Sequence, residues 1–166
     1  MKDIKLIITV FALFSLIFFA NCGNNDSEVT LTAQQVATQS LVNGSPWTVS
    51  NVTNTPDPNI DIMELESMSI TFAASGSGAD IAPSSISVSG APTFISAQAN
   101  ASWSWSGSGT SSIMLSNVNN VTEFTSVTFA PSAENPTSLS LSFNISESGG
   151  RTQGLVGNYT IELTPQ

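Results

Sequence analysis

No histidine occurs in this 166-residue chain, and its only cations are Lys2, Lys5 and Arg151. Without histidine, and with one cysteine at position 22, neither a Ser-His-Asp nor a Cys-His arrangement can be assembled. Zinc sites built from those ligands are excluded on the same ground. Spacings that mark a P-loop, a dinucleotide fingerprint or an EF-hand are also missing. This inventory points away from an enzyme and implies no cofactor. Beyond residue 21 one arginine faces eleven carboxylates, a formal charge of 1 − 11 = −10. Such a surface repels phosphate backbones, so nucleic acid is not expected as a partner.

Long apolar runs are scarce too. The longest, Leu6 to Ala20, follows Lys2 and Lys5 and spans 15 residues. Crossing a bilayer takes about 20 apolar residues, so this run fits the core of a secretory signal better than a membrane anchor. The lone cysteine stands where the run stops. Phe19-Ala20-Asn21-Cys22 resembles the lipobox of bacterial lipoproteins. That resemblance implies diacylglycerol on the Cys22 thiol, cleavage after Asn21 and acylation of the freed amine. Gly23 follows the cysteine, with no aspartate there, which by the same resemblance favours the outer membrane. The expected organisation is a signal over 1–21, a polar tether over 22–31 and one β domain over 32–166, a monomer held to the membrane through the lipid on Cys22.

Past the tether, "TAQQVATQSLVNG" reads as a short helix. Thr32 and Gln35 make a capping box, and Asn43-Gly44 a left-handed stop. Ala33, Val36, Ala37 and Leu41 lie on one face, with Gln34, Thr38 and Gln39 on the other. From Pro46 the period drops to 2. Ile70 and Phe72, Ile86 and Val88, Trp103 and Trp105, then Leu139, Leu141, Phe143 and Ile145 alternate with serine, threonine or asparagine. Alternation of this kind marks antiparallel strands with one dry face. Further strands over 47–53, 111–116, 121–129 and 157–163 raise the count to about eight. Helical crossovers of the length a parallel sheet needs are absent. The fold expected is therefore an up-and-down barrel behind one helix, the alternative being a two-sheet β-sandwich.

"SLVNGSPWTVSNV", "SWSW" and "GGRTQGLVGNYTIEL" resemble a group of bacterial lipoproteins with a lipocalin-like domain. The resemblance spans most of residues 32–165 and implies a fold and an anchor, with no activity attached. Two functions stay open. One is a module that binds a small apolar ligand, lipid or glycan, with Trp47, Trp103 and Trp105 as its candidate residues. The other is a structural or display protein of the envelope. A pocket touching the tryptophans would favour the first, and a filled interior the second. Asp57, Asn59, Asp61 and Glu64 offer hard oxygen ligands that suit calcium, against the plainer reading of an acidic surface loop. In an eight-stranded barrel Trp47 and Arg151 fall at opposite ends, so Arg151 is expected to pair with Asp57, Asp61 or Glu64.

Overall fold

The alternating apolar residues all turn to one side because the strands that carry them close on themselves. The computed structural model describes residues 30–56, 63–145 and 156–166. Helix α1 (Ala33–Asn43) leads into β1 (Trp47–Asn54), followed by a one-turn helix α2 (Met63–Glu66) and β2 (Ser69–Ser75). Then come β3 (Ala82–Ser89), β4 (Ala97–Trp105), β5 (Ile113–Val118), β6 (Glu123–Ala130), β7 (Ser138–Ile145) and β8 (Gly157–Pro165). Each strand pairs antiparallel with the next, and β8 returns to β1, which closes an eight-stranded barrel. A sandwich is thereby excluded. β1, β5, β6 and β8 end one to two residues beyond the expected spans, and β5 and β6 start two residues later.

Closure depends on β8. Trp47 faces Pro165, Val49 faces Leu163 and Val52 faces Ile161, with two irregularities along the pair. Against β2, β1 registers only Trp47 with Ile70 and Thr48 with Ser69. Beyond those pairs the Val49 N–H donates to the Met68 carbonyl at 3.0 Å. Helix α2 packs along β1 there and buries Leu65 completely. Periodicity gave no hint of α2, which is a single turn inside an acidic segment.

Inside the barrel, Ile70, Phe72, Trp103, Leu139, Leu141, Phe143, Ile161 and Leu163 are buried in one cluster, with Val88 and Trp105 half-buried against it. All ten were expected to share an interior. Full burial of side chains of this size stabilises by about 1.5–3 kcal/mol each. Edge-to-face contacts link Trp105 to Trp103, Trp103 to Phe72, Phe72 to Phe124 and Phe124 to Phe143, with centroids 5.2–6.4 Å apart. Phe143 then stacks on Tyr159 at 5.4 Å. None of the chain's three cations falls among the described residues, so these residues are joined by packing and hydrogen bonds, without ion pairs.

Helix α1 begins as expected. The Thr32 hydroxyl accepts from the Gln35 N–H at 3.2 Å, and the Gln35 side chain accepts from the Thr32 N–H at 2.7 Å. Its end differs. Gly44 has φ −81°, an ordinary right-handed conformation, so no left-handed stop exists there. Glycine is needed for a different reason: a Cβ at residue 44 would overlap the Trp47 indole. The helix face differs too. Thr38 and Ser40 are buried while Ala33 is exposed: the Thr38 hydroxyl accepts from the Trp105 indole N–H of the barrel, and the Ser40 hydroxyl donates to the Val36 carbonyl of its own helix.

Tyr159 supplies a pH test. It is fully buried, and burial pushes its phenol above the usual value of 10.0. Below pH 10 the phenol is protonated in both folded and unfolded chains, and its contribution is intact. Above that pH the unfolded chain ionises first, so stability falls until the raised folded value is passed, by at most about 1.4 kcal/mol per pH unit. Residues 32–166 contain no histidine, lysine or cysteine and one tyrosine, so this alkaline loss belongs to a single side chain. Urea unfolding between pH 8 and 11.5 should show the decline, and Tyr159→Phe should flatten it.

Candidate functional site

The three tryptophans gather at one end of the barrel, under α1. Trp47 opens β1 and is fully buried; its indole N–H donates to the Leu41 carbonyl of the helix at 2.8 Å. Trp103 is buried, and its indole donates to the Ala73 carbonyl on β2 at 2.8 Å. Trp105 is half-buried and donates to the Thr38 hydroxyl at 2.9 Å. Each indole N–H already has a partner, and the Trp103 and Trp105 rings meet edge to face at 5.6 Å. Trp47 and Trp105 tie the helix to the barrel, whereas Trp103 bonds within the barrel wall.

The opposite end is different. There an apolar recess is lined by ten side chains, all of them apolar. Ile70, Ile86, Phe124 and Phe143 reach it from strands, whereas Ile95 and Val121 come from the β3–β4 and β5–β6 loops. The room left for the centre of a water-sized sphere is about 10 Å³, the space of roughly one water.

The two loops are tied to each other across this mouth. The Asn119 N–H donates to the Ser96 carbonyl at 2.9 Å, and its side-chain amide to the Ser96 hydroxyl at 2.7 Å. The Asn120 amide donates to the Phe94 carbonyl at 2.8 Å. Asn120 has φ +59°, a left-handed conformation that asparagine tolerates better than most residues. The sequence reading missed Ile95 altogether. Its only signal was two adjacent apolar residues, Phe94 and Ile95, inside a Pro-containing turn segment.

The remaining candidates are placed as follows. Cys22, Asp57, Asp61 and Arg151 lie outside the described residues, and with them the expected pairing of Arg151. Glu64 sits in α2, beside the buried Leu65. Among the described residues no three carboxylates, histidines or cysteines come together as a metal site. No helix among them is long and apolar enough to cross a membrane. The strand order behind the Arg151 argument does hold: Trp47 faces the last residues of β8, while Gly157, which starts β8, lies against Pro56 beyond the far end of β1.

An eight-stranded antiparallel barrel with a helix before its first strand is consistent with a lipocalin-like β-barrel. No protein-family model, curated protein or solved structure matches the chain.

Proposed function

We propose that the chain is an exported lipoprotein with a lipocalin-like barrel, anchored to the outer membrane by acyl groups on Cys22, that binds a small apolar ligand or lipid tail and catalyses no reaction. The observation that carries the ligand reading is the wholly apolar recess at the end away from α1. A glycan is disfavoured there, because its hydroxyls would be buried with nothing to pair them. The site also moves away from Trp47, Trp103 and Trp105, whose indole N–H groups are already engaged. In its closed form the recess holds about one water, so ligand entry and displacement of Ile95 and Val121 are one event. The strand-borne lining is fixed by ladder hydrogen bonds, which leaves the loop-borne side chains to move.

The competing reading is a structural or display protein of the envelope, favoured by the small size of the recess, which holds about one water. Native mass spectrometry of the barrel domain isolated from its own host separates the two. Ligand binding predicts a retained apolar mass that organic extraction removes. A bare polypeptide mass, unchanged on addition of fatty acids and phospholipids, would leave the display reading.

A further inference from the structure

Helix α1 and the barrel are held together by forces of different kinds. The helix contributes a single large buried side chain, Leu41; its other buried residues are Ala37, Thr38 and Ser40. By contrast β7 alone buries Leu139, Leu141, Phe143 and Ile145 and is laddered on both sides. What holds α1 is mostly polar. The Gln34 amide donates to the Gly107 and Gly109 carbonyls at 2.8 and 2.9 Å, and the Gln35 amide to the Ala79 carbonyl. Trp47 and Trp105 add their indole N–H bonds from below. The four carbonyls that accept from Gln34, Gln35 and Trp47 lie on loops or on the helix itself, so none of these bonds belongs to a ladder.

We propose that α1 is a plug that unseats as one unit while the eight-stranded barrel stays closed, uncovering Trp47 and Trp105 at the mouth. Local opening of this kind is set by how little apolar surface an element buries and how little of its backbone is shared with neighbours. Helix α1 qualifies on both counts. The first turn of the helix is also the point at which the preceding chain joins the barrel domain, and there Gln34 and Gln35 grip the loops. On release, Trp47 and Trp105 each gain a free N–H donor and a bare ring face, the pair of features with which an indole receives a hydroxyl-bearing ring. Trp103 does not change, because its acceptor, the Ala73 carbonyl, belongs to the barrel wall.

The difference between the three indoles makes the test. Hydrogen exchange of their N–H groups can be followed by NMR on the full chain in detergent micelles, together with the amides of α1 and β7. A releasable plug predicts that Trp47 and Trp105 exchange with the α1 amides, at least about a hundredfold faster than Trp103 and β7. Trp47 decides, since it is fully buried with its N–H on the helix carbonyl of Leu41, so exchange faster than that of the barrel requires departure of the helix. Replacing Gln34 and Gln35 together by alanine should speed the first group and leave the second unchanged. Exchange of Trp47 at the rate of Trp103 and β7 in the unaltered chain would overturn the inference, because helix and barrel would then open as one.

Discussion

Phe143→Ala is expected to destabilise the barrel by about 3–5 kcal/mol, the range seen when a buried aromatic side chain is truncated to alanine. Phe143 is 2% exposed and touches rings on both sides, Phe124 at 6.1 Å and Tyr159 at 5.4 Å. It stands on β7, between β6 and β8, where ladder hydrogen bonds hold the backbone and resist collapse into the space left behind. Leu141→Ala, two residues earlier on the same face, should cost about 2–5 kcal/mol. Total stability of a domain this size is about 5–15 kcal/mol, so either change takes a large share of it. Urea unfolding followed by tryptophan fluorescence measures both. A loss under 1 kcal/mol at Phe143 would mean that the ring stack contributes little and that the interior repacks freely.

Cys22→Ser is expected to abolish incorporation of labelled palmitate and to leave the protein uncleaved or released from the membrane. The effect should be complete, because serine offers no thiol for alkylation. Two acyl chains give stable anchoring, and each buried CH₂ adds about 0.8 kcal/mol of membrane affinity. Equal labelling of the variant would remove the lipoprotein reading and the membrane assignment with it. The barrel itself should be indifferent to the change: its unfolding midpoint should match that of the unaltered chain.

The barrel was legible because most of its sequence obeys one rule. Leu139, Leu141, Phe143 and Ile145 alternate with small polar residues, and a period of 2 cannot serve any other regular element. Thr32 and Gln35 announced the helix start equally plainly, since a capping box depends only on residues three apart. Where expectation and structure part, tertiary contacts decide. Gly44 serves the Trp47 ring, and the reason lies three residues along the chain and across a turn. Thr38 is buried because an indole N–H on β4 needs an acceptor, and no helical wheel contains that information. The strand-borne part of the recess lining follows the period, but its closure does not: Ile95 comes from a loop with no period, and Val121 was expected to open a strand that begins only at Glu123. Trp103 and Trp105 were expected on the dry face and lie there, and all three tryptophans, also candidate ligand residues, spend their indole N–H groups on bonds within the protein. Sequence shows that rings cluster, but whether they are covered depends on an element 60 residues away.

The pairing of β1 mainly with β8 bears on how the protein is made. The first strand finds only two registered partners in its neighbour β2, while its long ladder is with residues 160–165. Until the last few residues have emerged, an edge of the sheet stays open and Trp47 has no finished seat. The barrel therefore cannot close until β8 is available, and closure is one late, entropically costly step that joins its first and last strands. Closing this one distant pair follows seven pairings between consecutive strands, and β folds with non-local pairing take about milliseconds to seconds. Removal of β8 should accordingly abolish the barrel outright, whereas a cut of equal length at the other end of the chain spares every strand.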